Sequence, residues 1–187
     1  TDSGVRGGWG AGSPTGQKLS FVPMGESAPH PKYLVANADE MEPGTFKDRV
    51  LLAGNPHLLR EGMIVSAYAI DADVAYVFLR GEYVIPGQRI ARAIAEAYEA
   101  GYLGNDILNS GYSLQLYLHT SVGRYICGEE TALLNSLEGR RANPRAQPPF
   151  PPVSGLCGKP TIVHTGATPC HVAPTVDHRA ARLMGLT

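Results

Sequence analysis

Three segments carry residue types that could do chemistry. Residues 4 to 16 read Gly-Val-Arg-Gly-Gly-Trp-Gly-Ala-Gly-Ser-Pro-Thr-Gly. Glycine permits positive φ and close backbone approach, so exposed amides here could cradle a phosphate or let a flat cofactor lie on the main chain. A plain flexible loop accounts for the composition equally well. The run precedes the first clear strand, so it is not the G-x-G-x-x-G dinucleotide fingerprint that follows one. The second segment, Asn37-Ala38-Asp39-Glu40-Met41-Glu42-Pro43-Gly44, follows an apolar run. Its carboxylates could accept hydrogen bonds from sugar or ribityl hydroxyls. A hard-cation site is a rival reading, but no second carboxylate cluster completes a cage; a solvated charged turn is the other. The third, Tyr125-Ile126-Cys127-Gly128-Glu129-Glu130-Thr131, puts two glutamates at the start of a helix, where the macrodipole favours anions. Good capping with no further role explains that placement too.

Other candidates read blandly. Cys127 has no His and acid partner set by the sequence and reads as a small buried residue rather than a nucleophile. His164, His171 and His178 are evenly spaced, but Pro169 and Pro174 should break any helix that would align them. Arg140, Arg141 and Arg145 form a solvated or partner-facing run too short for nucleic-acid binding.

These segments need elements to hold them. Tyr33 to Ala36 reads as a short buried strand emptying into the acidic loop. Asn55-Pro56 supplies an N-cap and a first-turn proline, and Leu58, Leu59, Met63, Ala67 and Ile70 recur at helical spacing. Val74 to Leu79 reads as a second strand, and Leu114 to Leu118 as a third. Helices are predicted over 88–100, ending before Gly101, and over 129–137. The stretch 139–152, basic and then proline-rich, is expected to run extended over the surface. Alternating strands and helices favour an α/β layer with parallel strands and right-handed crossovers. In such sheets ligands sit beyond the carboxyl ends of the strands, where both acidic segments fall.

Composition bounds the rest. A chain of 187 residues with 43% hydrophobic and 18% charged residues describes one ordinary globular domain. Lys plus Arg (16) nearly balances Asp plus Glu (17), so no net field draws it to nucleic acid or anionic lipid. Three cysteines without a C-x-x-C pair fit a reduced cytosolic compartment and cannot complete a four-cysteine cluster or zinc site. No apolar run reaches the ~20 residues needed to span a bilayer. The start, Thr1-Asp2-Ser3-Gly4, lacks Met and the regions of a signal peptide, and is expected to be internal to a longer protein.

Taken together, the segments resemble a known family. The run from Asn37 through Glu42-Pro43-Gly44-Thr45-Phe46-Lys47-Asp48-Arg49 carries the likeness, as does Gly123 through Glu130 to Gly139-Arg140-Arg141-Ala142-Asn143-Pro144-Arg145. Pro148-Pro149-Phe150-Pro151 and Ser154-Gly155-Leu156 continue it. The family is the flavoprotein subunit of bacterial respiratory complex I, related to the flavin subunits of NAD-linked formate dehydrogenases and hydrogenases. Met41 and Arg124 resemble the respiratory form more than those relatives. The likeness covers roughly residues 3 to 163.

The resemblance implies a Rossmann-like FMN-binding α/β domain over 1–163, with mainly parallel strands and incomplete at both ends, followed by a divergent tail over 164–187. It implies hydride transfer from NADH to FMN, the electrons then passing to iron–sulfur clusters. The flavin carries the chemistry, so no catalytic acid–base pair is expected. By resemblance Gly7, Gly10, Gly12 and Lys18 line the flavin, and Asn37, Asp39, Glu40, Tyr125, Gly128 and Glu129 hold its ring, ribityl chain or phosphate. Phe21, Glu42, Glu130 and Phe150 contact NADH. A [4Fe-4S] cluster belongs to the full-length subunit, its ligands lying outside this chain, which is expected to hold no metal. The implied partners are NADH and the other hydrophilic subunits of the complex, including the 2Fe-2S subunit, with no nucleic acid and no direct membrane insertion. The implied location is cytoplasmic, on the inner face of the plasma membrane through the complex. Several positions depart from the family pattern. Gly8 replaces an arginine, Trp9 a glycine, Ser13 an aromatic, and Gln147 a lysine, while His164-Thr165 replaces an Asn-Asn pair at the flavin. The family relationship leaves a formate dehydrogenase or hydrogenase flavin subunit as one alternative, and the departures sustain another, a non-catalytic remnant with impaired nucleotide binding.

Overall fold

The computed structural model describes residues 14–178. Residues 4–13 of the glycine-rich run, with Gly7, Gly10 and Gly12 and the departures Gly8, Trp9 and Ser13, lie outside the described residues. The described chain opens with α1 (Thr15–Leu19) and β1 (Tyr33–Ala38), then α2 (Lys47–Gly54), α3 (Pro56–Ile70), β2 (Val74–Leu79) and α4 (Val84–Glu99). After these come β3 (Gln115–Thr120), a 3-10 turn at Tyr125–Gly128, α5 (Glu130–Leu137), α6 (Pro151–Ser154), β4 (Thr161–Thr165) and α7 (Ala167–His178).

Each expected strand and helix is present, β2 with the expected bounds and the others with one or both ends shifted. Pairing on both sides of β1 carries it past Ala36: Asn37 sits opposite Phe78 of β2 and Thr165 of β4. The α3 cap forms as its residues dictate, with Asn55 Oδ1 accepting from the Leu58 amide at 3.2 Å and Pro56 opening the helix. Helix α4 starts at Val84 rather than 88, because Pro86 falls in the first turn, where its missing N–H costs nothing.

The four strands form one parallel sheet in the order β3-β2-β1-β4. The chain therefore steps outward from β1 to β3 and then crosses back to lay β4 on the other side of β1. That reversal opens a crevice beyond the carboxyl ends of β1 and β4, where parallel sheets receive ligands. Strand residues alternate between two buried faces. Leu34, Ala36, Ala75, Val77, Leu116 and Ile162 meet Leu59, Met63 and Ala67 of α3 and Ile90 and Ile94 of α4. On the opposite face, Val35, Phe78 and Val163 meet Leu133 and Leu134 of α5 together with Cys127 and Leu156. Cys127 is thus a core residue.

Two readings need correction. Pro169 and Pro174 do not break the chain's last described helix; both lie within α7. Pro169 occupies its first turn, where no intrahelical bond is lost, and the buried Ala167, Cys170 and Ala173 hold the helix despite Pro174. His164, however, lies on β4 and His171 and His178 on α7, so no helix aligns the three. Arg145 is not part of a solvated run. Its guanidinium donates to the Gly155 carbonyl at 2.8 Å and Asn135 Oδ1 at 3.0 Å and pairs with Glu138 at 2.8 Å, fastening the irregular 141–150 stretch to α5. Strand β4 runs through the point after Val163 at which the family pattern departs, and α7 continues from it to pack against α3.

Candidate active site: a cleft between two acidic bends

The cleft follows from the sheet order. Strand β1 delivers Asp39, Glu40, Met41 and Glu42 at its carboxyl end, and β4 delivers Thr165 beside them. The 3-10 turn ahead of α5 brings Tyr125, Ile126, Gly128 and Glu129 to the facing wall. The two acidic bends line one open cleft of about 380 Å³, closed at its side by Thr45, Lys47 and Asp48. Asn37 ties the walls together: its amide donates to the Gly128 carbonyl at 2.8 Å and its Oδ1 accepts from the Asp39 amide at 3.2 Å. Gly128 stands so close that an added Cβ would lie 3.2 Å from the Asp39 carbonyl. At the mouth, the Tyr125 hydroxyl donates to the Glu42 carboxylate and bridges the bends.

The carboxylates differ in what they have left to offer. Glu40, almost fully buried, accepts from the amides of Asp48 at 3.0 Å and Arg49 at 3.2 Å and from the Tyr83 hydroxyl at 3.0 Å. It caps α2, whose N-cap residue supplies no side-chain cap of its own. Glu129 caps α5, accepting from the Thr131 and Ala132 amides at 3.0 and 2.7 Å and from the Thr131 hydroxyl at 2.7 Å. Asp48 is engaged by Lys47 at 2.6 Å and by the Ala167 amide at the start of α7, and burial pushes its carboxyl above the usual range. Asp39 has one oxygen on the Ser121 hydroxyl at 2.7 Å and the other, Oδ2, buried without a partner. Burial raises its carboxyl too, with Ser121 and Arg80 pulling the other way.

Lys18 reaches from α1 to the same end of the sheet. Its ammonium donates to the Val163 carbonyl at 2.6 Å and pairs with Glu130 at 2.8 Å. His164, next along β4, is buried with Nε2 unpartnered; burial and then the Lys18 charge push its imidazole down to about 3. Phe21 and Phe150 expose their rings and stand apart from the cleft lining. Of the expected residues, then, the structure gathers Asn37, Asp39, Glu40, Glu42, Tyr125, Gly128 and Glu129 around the cleft and joins Lys18 to Glu130 beside it. Sequence reasoning assigned no role to Lys47 and Asp48, although both belong to the quoted Phe46-Lys47-Asp48-Arg49 run, and it marked Thr165 only as a departure at a flavin position; all three line the cleft. It also missed Ser121, whose contact with Asp39 joins the ends of β3 and β1 and leaves no local signal.

Among the described residues no group of three His, Cys, Asp or Glu side chains could hold a metal ion. Cys127 and Cys170 are buried and Cys157 is exposed. No described helix is long and apolar enough to cross a membrane.

Comparison with known proteins shows the family and the fold. A family profile described as the Nuo51 FMN-binding domain matches residues 1–174. The F subunit of the NADH-quinone oxidoreductase of Escherichia coli K12 is 57% identical over 171 residues, covering 91% of this chain and 38% of that protein. The F 2 counterpart from Rhizobium meliloti is 54% identical over 185 residues, covering 99% and 44%. The chain thus spans well under half the length of these relatives. The crystal structure of an NAD+-reducing [NiFe]-hydrogenase in the air-oxidized state superposes on 97% of this chain with a TM-score of 0.85 and 41% identity, using 30% of the matched hydrogenase chain.

Proposed function

The chain belongs to the Nuo51 FMN-binding domain family, and from that membership we propose that it is the flavin- and nicotinamide-binding part of an NADH-quinone oxidoreductase subunit. The observation that carries the reading is the cleft itself, lined from both acidic bends at the switch point of a parallel sheet. The higher identity to the respiratory relatives, 57% against 41% for the hydrogenase, favours the respiratory role over the hydrogenase alternative.

The cleft residues fit a flavin mononucleotide. The unpartnered Asp39 Oδ2 awaits a ligand atom, and the Cβ-free Gly128 lets the two walls approach closely at the Asp39 carbonyl. FMN, when bound, takes hydride from NADH and returns the electrons one at a time. The protein's share is to bind, orient and keep water out. Asn37 and Gly128 fix the spacing of the walls. Glu40 spends both oxygens on the α2 start and Tyr83, whereas Glu129 caps α5 through Oε2 alone and keeps Oε1 for the ligand. Lys18 brings positive charge for a phosphate, and the Gly7, Gly10 and Gly12 amides would complete that cradle. Tyr125 would meet the flavin and Glu42, bonded to it at the mouth, the nicotinamide nucleotide, whose adenine would stack on the exposed Phe21 or Phe150 at about 1 kcal/mol. Glu130, paired with Lys18, would orient at the nucleotide side.

The cysteines present do not fit an iron–sulfur cluster, so that centre belongs to the rest of the longer subunit, and the 2Fe-2S subunit and other hydrophilic subunits of the complex are its partners. The location that follows is the cytoplasmic face of the plasma membrane, by way of the complex. Adding FMN to the purified chain, following flavin fluorescence, and then supplying NADH with ferricyanide as acceptor tests the reading. Stoichiometric flavin and FMN-dependent NADH oxidation are expected. Flavin binding without turnover would reduce the chain to a binding module, and no binding of either nucleotide would make it a remnant.

A further inference from the structure

Among the described residues lining the cleft, Asp39 is the one carboxylate with a buried oxygen lacking a hydrogen-bond partner. Its surroundings hold it firmly. The backbone is tied through Asn37, which bonds both the Asp39 amide and the Gly128 carbonyl. Oδ1 accepts from Ser121 Oγ at 2.7 Å. Ser121 is itself fixed: its amide donates to the Leu79 carbonyl at 2.7 Å, and its hydroxyl accepts from the Gly123 amide at 3.4 Å. Gly81 packs against its carbonyl, so closely that an added Cβ would lie 2.6 Å away. Three chain segments therefore cooperate to aim one oxygen atom.

We infer that Ser121 is a positioning residue of the cleft, holding Asp39 by Oδ1 so that Oδ2, as the hydroxyl of a neutral carboxyl group, donates to an acceptor atom on the bound flavin nucleotide. This rests on the flavin-binding reading of the cleft. The charge balance around Asp39 is the reason for the neutral form. Glu40 and Glu42 share its bend, Glu82 follows β2, and Asp48 and Glu129 line the cleft from α2 and the turn before α5. The cations that could compensate are committed elsewhere. Arg80 donates to Glu82 at 3.1 Å and to the Glu40 carbonyl at 2.8 Å, and Lys47 is bound to Asp48 at 2.6 Å. The phenols of Tyr83 and Tyr125 are turned to Glu40 and Glu42. A further anion at Asp39, nearly fully buried, would have Glu82 against it and only the Ser121 hydroxyl and the already engaged Arg80 in its favour, with no direct ion-pair partner. Burial accordingly raises its carboxyl. A neutral carboxyl donates where a carboxylate only accepts, and the two roles give opposite pH dependences.

FMN titration of the purified chain between about pH 5 and 9 reads this out. If the proton is required, affinity falls by about tenfold per pH unit above the Asp39 midpoint. Asp39→Asn keeps a donor that does not titrate and should bind with a flat profile, whereas Asp39→Ala should lose binding. Ser121→Ala removes the donor that favours the carboxylate, so the midpoint should move up while the affinity on the low-pH plateau, where Asp39 is fully protonated, weakens; Ser121→Thr should restore both. A wild-type affinity that is flat or rises with pH, together with Asp39→Asn as damaged as Asp39→Ala, would overturn the donor role. A Ser121→Ala profile superimposing on wild type would remove Ser121 from the site. Absence of FMN binding at any pH would instead sink the flavin reading. The Ser121–Asp39 coupling would still be decided by carbon-13 NMR titration of the Asp39 carboxyl in the ligand-free chain. An elevated midpoint that rises further in Ser121→Ala is expected there, and an ordinary midpoint indifferent to Ser121 would refute it.

Discussion

Glu129 closes the first turn of α5 with three hydrogen bonds, and Glu40 closes that of α2 while taking a third from Tyr83. These side chains support the cleft by fixing helix starts. Glu129→Ala should therefore lower stability by about 1–2 kcal/mol, the usual range for a lost cap, in urea unfolding followed by circular dichroism. Lys18 is different: partly exposed, it gains little from its surface pair with Glu130. Lys18→Met should change stability by less than about 1 kcal/mol yet weaken FMN binding by about tenfold, read by fluorescence titration. Equal FMN affinity would take Lys18 out of the phosphate site. The run Asp39-Glu40-Met41-Glu42 was visible as a row of carboxylates in the sequence. Which of them caps a helix and which faces a ligand was not, because the cap partners Asp48 and Arg49 belong to a helix whose apolar pattern is weak, with Leu52 its one buried apolar residue.

Helices α3 and α7 meet where Gly62 faces Pro169. A Cβ at position 62 would fall 1.8 Å from the Pro169 carbonyl oxygen, a backbone atom that cannot rotate away. Gly62→Ala must push α7 off α3 and should cost about 1–3 kcal/mol or more as overpacking, seen as a lowered urea midpoint and faster proteolysis within 167–178. Unchanged stability would mean the helices are not in this contact. The apolar spacing of α3 announced a helix but not the partner that makes Gly62 necessary. Helix α7 was hidden for a related reason: its prolines argue locally against a helix, and packing of Cys170 and Ala173 outweighs them. Asn55-Pro56 was readable because a cap and a first-turn proline act within one turn.

Over the whole molecule, acid stability is set by groups buried far apart in the sequence. His164 is held neutral in the fold, with its imidazole pushed down to about 3. In the unfolded chain it takes up a proton near its ordinary value of 6.5. Between these values the unfolded state binds the extra proton, so stability present above pH 6.5 is lost as the pH falls toward 3. The loss is bounded by roughly 4 to 5 kcal/mol, and water entering the site would reduce it. Asp39 and Asp48, raised by burial, act oppositely, since the folded state holds their protons more tightly. Urea unfolding of wild type and His164→Asn from pH 7 down to about 4 isolates the histidine: the variant should lose less stability over that interval, and parallel curves would show that His164 titrates freely.

The amino-acid sequence by itself determined the alternation of strands and helices, the burial of β1 and β2, the cap of α3 and the two acidic segments. Each of these rests on periodicity or capping chemistry confined to a few neighbouring residues. Only the tertiary structure decided that β4 returns beside β1, that the two bends share one cleft, and that Ser121 holds Asp39. Those facts depend on strand order and on contacts between residues as distant as 39 and 121, where the side chain that completes an interaction is brought by packing and leaves no trace in local sequence.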